Sequence, residues 1–289
     1  MFTAAFRSFP RLVATICGMA AATLFVTSAH AADASSWDGD SRSSMRLIGA
    51  KTRSEGGSPF FRAAVELKLA PGWKTYWRYP GDSGVPPRFE FDASDNVKSV
   101  RVLWPAPLRF IDAEGATIGY KNNVVFPLRI EPKDASKPIT LRMKLDYAVC
   151  ERLCVPVEAK ADLAIDGKSE ANEAAVAAAE AAIPKPQAVR ASAPLSIWNV
   201  VPDNASKPPR IFIDIVAPKD SPVTLFAEGP TPDWALPLPE PVDGAANPQT
   251  KRFTIVLDGL PAGATAKGAI LKITAVSGDQ AIETPVHLD

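Results

Sequence analysis

Apolar and polar residues alternate with a period of two along much of the chain. Phe61, Ala63, Val65, Leu67 and Leu69 interleave with Arg62, Ala64, Glu66 and Lys68, the pattern of a strand with one face in a core and the other in water. Pro71-Gly72 then turns the chain into Trp73 to Pro80, a run too aromatic for a loop and too close to proline for a helix, which reads as a strand with a heavily packed face. Val97 to Leu103 and Val124 to Ile130 predict two further strands, with an irregular, Pro-containing stretch from Trp104 to Tyr120 between them. Leu141, Met143, Leu145 and Tyr147 alternate with Arg142, Lys144 and Asp146, and Val155 and Val157 alternate with Pro156 and Glu158. These are the arms of a hairpin with a loop of about three residues.

The pattern breaks at Ser169 to Ile183, where Ala and Glu dominate and favour a helix, closed by Pro184 and Pro186. Strands resume at Ile211 to Ile215, Val223 to Phe226, Arg252 to Leu257 and Ala269 to Val276. The predicted fold is therefore all-β: an immunoglobulin-like β-sandwich over 45–167, an Ala-rich helical and Pro-rich linker over 168–189, and a second, smaller β-sandwich over 190–289. A polar leader over 32–44 has no apolar periodicity and is expected to be disordered.

Ahead of that leader, Arg7 and Arg11 precede an apolar run from Leu12 to Val26 and the small-residue pattern Ala29-His30-Ala31. This predicts a secretory signal over 1–31, since the run is shorter than the roughly 20 apolar residues a membrane span needs. An exported, periplasmic protein is expected. The 32 basic and 32 acidic residues balance, which argues against a nucleic-acid partner, since that would want a basic face.

Chemistry concentrates in two residues. Cys17 lies in the signal and leaves with it, so Cys150 and Cys154 form an isolated pair at the tip of the predicted hairpin. Cross-strand positions about 5.5 Å apart suit disulfide geometry. Two readings follow: a pair that exchanges electrons, with one cysteine resolving the mixed disulfide made by the other, or a fixed clip of the kind exported proteins carry. A loop this short gains only about 2 kcal/mol from closure in the chain-entropy picture, so a staple would serve better between distant strands. Arg152 favours a thiolate and Glu151 opposes it, leaving the identity of the nucleophile open.

Other chemistries fit less well. Zinc wants four Cys or His ligands, and beyond the signal only two cysteines and His287 are available; no stable metal site and no cofactor is expected. Two thiolates suit copper(I), but Met45 and Met143 are the only methionines beyond the signal, and Met143 fits a buried strand face better than a ligand role. G-x-S-x-G, H-E-x-x-H and phosphate-binding glycine loops are absent from the sequence. The aromatic run Trp73, Tyr76, Trp77 and Tyr79 could present a carbohydrate platform, although such clusters more often build a core.

Three separated stretches carry a resemblance: Gly72 to Tyr79, Gly119 to Leu128, and Tyr147 to Pro156. In this order they resemble the N-terminal periplasmic domain of the disulfide reductase DsbD, in particular its ScsB-type relatives, over the first half of the chain beyond the signal. The resemblance implies a protein-disulfide reductase component whose Cys150 and Cys154 cycle between dithiol and disulfide, with Cys154 forming the mixed disulfide. It implies a cap loop over Phe110, Ile111, Asp112, Ala113, Glu114 and Gly115. An aromatic cap residue is expected late in that loop, where this chain has Ala113 and Glu114, so Phe110 serves instead or the cap is built differently. Tyr120 and Tyr147 read first as packing residues that also line the cysteine site. Asp112 and Glu114 read as a solvated loop face or, in the sharper reading, as groups that tune proton transfer.

Members of that family continue into a multi-helix membrane domain and a thioredoxin-like domain, which this sequence does not contain. The implied partners are a separate membrane electron donor and periplasmic thioredoxin-like proteins. Copper tolerance, linked to the ScsB type, and a non-catalytic binding or assembly module with a structural disulfide remain as alternatives. No residue of the C-terminal half carries recognisable chemistry.

Overall fold

The structure, a computed structural model, describes residues 1–3, 32–81, 84–112, 115–245, 247 and 249–288. Apart from residues 1–3, the predicted signal lies outside the described residues, as do Ala113 and Glu114 of the predicted cap.

The first sandwich is built from β1 (Asp38–Gly39), β2 (Ser43–Glu55), β3 (Ser58–Leu69), β4 (Lys74–Gly81), β5 (Arg88–Glu90), β6 (Val97–Val102), β7 (Leu108–Asp112), β8 (Gly115–Lys121), β9 (Asn123–Pro132), β10 (Ile139–Cys150) and β11 (Cys154–Ile165). One sheet runs β1-β2-β3-β9-β6; the other runs β11-β10-β4-β8-β7, with β5 also paired to β10. Alternation fixes which side chains meet between them: Leu141, Met143, Leu145 and Tyr147 of β10 face Val65, Leu67, Phe126 and Leu128 in one buried cluster, while Arg142, Lys144 and Asp146 face outward.

Three sequence expectations change here. The leader is ordered: the Ser35 amide donates to the Leu47 carbonyl and the Gly49 amide to the Asp33 carbonyl, both at 2.9 Å, and β1 pairs with β2. Trp37 holds this edge by stacking under Arg46 and Lys68, at 4.5 and 4.2 Å from its ring centroid; a single aromatic anchor has no periodicity to announce it. The stretch 104–120 is no irregular loop, since β7 and β8 form an antiparallel hairpin from Leu108↔Gly119 to Asp112↔Gly115. Finally, the Ala-Glu segment docks. Its helix α1 (Glu173–Ala181) covers the outer face of β2 and β3, where Val176 packs with Ile48, Ala50 and Ala64.

That docking explains why β3 is buried on both faces. Arg62, expected in water, is 1% exposed. Glu173 and Glu180 stand two turns apart on one face of α1 and grip its guanidinium, with Nη1–Oε1 at 2.7 Å and Nε–Oε1 at 2.7 Å. Burial would push the Glu173 carboxyl up, but the hydrogen bonds from Arg62 outweigh it and hold the group below its ordinary value.

The second sandwich comprises β12 (Lys185–Pro186), β13 (Ser196–Asp203), β14 (Arg210–Val216), β15 (Thr224–Glu228), β16 (Glu240–Val242), β17 (Thr250–Val256), β18 (Ile270–Ser277) and β19 (Gln280–His287). Its sheets run β12-β19-β18-β15 and β13-β14-β17-β16 around Ile213, Ile215, Phe253, Ile255, Leu271 and Ile273. Phe226 and Leu238 leave this core and complete the first one. The architecture is all-β in both halves, as the alternation predicts.

Candidate redox site

The cysteine pair closes the β10–β11 hairpin. Strict register from Ile139↔Ile165 to Cys150↔Cys154 places the two cysteines directly opposite each other across the three-residue loop Glu151 to Leu153. They are joined as a disulfide with Cα atoms 4.2 Å apart, closer than the 5.5 Å expected of a hydrogen-bonded pair and near the spacing of a non-hydrogen-bonded one.

On its other side β10 pairs with β4, Val149↔Thr75 and Cys150↔Lys74. Paired residues share a face and neighbours alternate, so Lys74, Tyr76, Ala148, Cys150 and Cys154 all point away from the sandwich core. Tyr76, Ala148 and Cys150 form a small buried cluster of their own there. The Tyr76 hydroxyl lies 2.8 Å from the Cys150 Sγ and 3.1 Å from the Cys154 Sγ. The two sulfurs differ in access: Cys150 is 2% exposed, whereas Cys154 is exposed.

Two covers lie over this face. Gly84 lies against the Tyr76 ring, where an added Cβ would meet Pro80 Cβ at 2.3 Å and Tyr76 Cδ1 at 2.6 Å; only glycine permits that approach. The β7–β8 hairpin brings Phe110 to the same face. Lys74 Nζ lies 5.6 Å from the Phe110 ring centroid and donates to Thr117 Oγ1 at 3.3 Å, so this ammonium bridges the predicted cap and the strand beside Cys150.

Beyond the first cover a groove of about 630 Å³ opens alongside the exposed sulfur, lined by Val85, Pro86, Arg88, Ala148, Cys154 and Glu158 among others. Val85, 56% exposed, gives the groove an apolar element, and Leu153 of the cysteine loop is 78% exposed. Glu158 keeps a charge there: hydrogen bonds from Lys160 and then Lys144 hold its carboxyl below the ordinary value.

The remaining predicted site residues divide. Ile111 is 76% exposed on β7; the backbone of Asp112 ends that strand, and Glu114 lies outside the described residues. Tyr120 packs: it pairs with Thr75 on the inner face, and its hydroxyl donates to the Pro105 carbonyl at 2.9 Å. Its burial drives the phenol far above its usual range. Tyr147 contributes to the groove wall, but its hydroxyl meets Ser43 Oγ at 2.8 Å inside the core, and burial likewise raises its phenol. The tyrosine that touches sulfur is Tyr76, which the aromatic run had placed in the core. Its signal was parity: Tyr76 shares the face of Lys74, the residue that pairs with Cys150.

Among the described residues no group of three or more His, Cys, Asp or Glu side chains is arranged to hold a metal ion, and no helix is long and apolar enough to cross a membrane.

Residues 58–166, which include both cysteines, match the family model of the thiol:disulfide interchange protein DsbD, N-terminal. This stretch belongs to the DsbD N-terminal family. The DsbD-type segment spans the first sandwich from β3 to the end of β11. A crystal structure of the N-terminal periplasmic domain of ScsB from Proteus mirabilis resembles the chain with a TM-score of 0.69 at 20% sequence identity, covering 89% of this chain and 98% of that one. At that identity the likeness speaks for the fold, and its extent takes in the second sandwich as well as the DsbD-type domain. No curated protein matches the chain.

Proposed function

We propose that this is a periplasmic thiol-disulfide interchange protein whose Cys150/Cys154 pair relays electrons between a membrane reductase and thioredoxin-like partners. The observation that carries the reading is the asymmetry of the pair: one sulfur exposed beside a groove, the other buried under Tyr76, both within hydrogen-bond reach of one hydroxyl. Exchange requires an accessible sulfur to meet the partner and a second one close by to resolve the adduct.

In the reduced state the Cys154 thiolate attacks a partner disulfide, forming a mixed disulfide and expelling one partner sulfur as thiolate. The Cys150 thiolate then attacks Cys154 Sγ, restoring the intramolecular disulfide and releasing the second partner sulfur. Two electrons pass to the partner, which takes up two protons as its thiolates are protonated. The reverse sequence, with a membrane donor's dithiol attacking Cys154 Sγ, reloads the pair.

The roles predict which variant traps a partner. Cys150→Ser leaves the exposed Cys154 without its resolving thiol and should accumulate mixed disulfides in a periplasmic extract, visible as reductant-sensitive bands on a non-reducing gel; Cys154→Ser should accumulate few. Equal trapping by both variants would reverse or dissolve the assignment, and no trapping by either would favour a structural disulfide.

A further inference from the structure

The second sandwich carries no group that exchange chemistry uses, yet the strand that supplies Tyr76 and the strand that supplies Phe110 both contact it. β4 supplies Tyr76. Its ladder with β8 is interrupted between Tyr76 and Gly81, and the residues after Tyr76 leave the redox face. Trp77 meets Phe226 with ring centroids 5.7 Å apart. Arg78 inserts between Glu228 of β15 and Glu283 of β19, with Nε–Oε2 at 2.8 Å and Nη2–Oε1 at 2.7 Å to Glu228 and a further bond to Glu283. The Tyr79 hydroxyl donates to the Leu236 carbonyl at 2.7 Å.

β7 repeats the arrangement. Phe110 points to the disulfide face, and its neighbour Arg109, on the opposite face by alternation, donates to the Pro239 carbonyl at 3.3 Å and pairs with Glu240 of β16. The sulfur-contacting residue and the cap residue are thus each one or two positions from an arginine held by the second sandwich.

We propose that the second sandwich sets how open the Cys150–Cys154 disulfide is to attack, anchoring β4 through Arg78 and the cap hairpin through Arg109. Both arginines are positioning residues: they touch neither sulfur and act through Tyr76 and Phe110. Releasing the Arg109 anchor loosens a short edge hairpin that is also held by its ladder with β4 and by Lys74, and attack on Cys154 Sγ becomes faster. Releasing Arg78 lets β4 shift and moves the hydroxyl that holds the sulfurs. The proposal rests on the pair being an exchanging one, although its test reads the disulfide directly.

The test uses the whole chain from Ala32 and dithiothreitol, which gives two electrons and two protons to the disulfide and becomes a cyclic disulfide. Arg109→Glu and Glu240→Arg should each raise the second-order rate of reduction roughly threefold, the factor a partly exposed ion pair amounts to. The double swap, which restores the pair with its signs exchanged, should return the rate to that of the native chain. Glu240→Gln, on a carboxylate 57% exposed, guards against misfolding and should show the same direction. Native rates in the single variants would overturn the proposal, as would a double swap that stays fast. A native-chain reduction potential in the range of structural disulfides would instead contradict the exchange function, while the ratio of rates tests the anchoring alone.

Discussion

Removing the Tyr76 hydroxyl should slow the reduced pair about tenfold at neutral pH. The hydroxyl sits 2.8 and 3.1 Å from the two sulfurs in a site where Tyr76 is 2% exposed, so water does not readily replace it. A hydrogen bond to a charged acceptor contributes about 1.5 to 3 kcal/mol. At the lower figure, losing it from a thiolate shrinks the thiolate population about tenfold. Tyr76→Phe keeps the ring on which Gly84 rests, so the change isolates the oxygen. The assay is the rate of iodoacetamide reaction of the reduced protein across pH, with the modified cysteine located by peptide mass. The variant should be about tenfold slower near pH 7, its profile moved to higher pH, and the two proteins should converge where both thiols are fully ionised. Superimposable profiles would refute the reasoning and leave the tyrosine a packing residue.

Other consequences follow from the scaffold. Arg62→Ala leaves Glu173 and Glu180 facing a vacated, buried site and should cost about 3 kcal/mol in urea unfolding, the low end for breaking a buried pair because both carboxylates are partly exposed. Because Arg62 depresses the Glu173 carboxyl in the folded state, that contribution is present above the unfolded value near 4.5 and is lost as pH falls through the lower folded value. The native chain should therefore lose more stability between pH 5 and 3 than Arg62→Met, and equal acid sensitivity would contradict the pairing. Gly84→Ala forces the cover off the Tyr76 ring and should destabilise the protein by about 1 to 3 kcal/mol while speeding reduction of the disulfide; an unchanged rate would show that this cover does not shield the site.

How much of this was legible in the sequence depended on whether the information was local. β3, β9, β10 and β11 follow from alternation, because a strand with one dry face writes its period into the side chains. The hairpin and its cysteines could be placed for the same reason. The β7–β8 hairpin was missed because Pro105 and Pro107 precede it and its exposed residues, Leu108 and Ile111, break the polar-outside rule. Arg62 was read as solvated since nothing in β3 tells that α1 will cover it. Tyr76 was placed in the core for a different reason: which face of an aromatic strand meets a sulfur is decided by register with β10 and β8, and register between distant strands is not written in either strand alone. The second sandwich was legible as a fold and silent as to purpose, since its contribution lies in Glu228, Glu240 and Glu283, ordinary surface residues until Arg78 and Arg109 are placed against them.

The reduction potential of the Cys150/Cys154 pair in the chain from Ala32 tests the central claim most directly. After equilibration in glutathione buffers and alkylation of free thiols, a potential above about −250 mV, among the catalytic and labile disulfides, is the predicted result. A potential below about −300 mV, where structural disulfides lie, would contradict it.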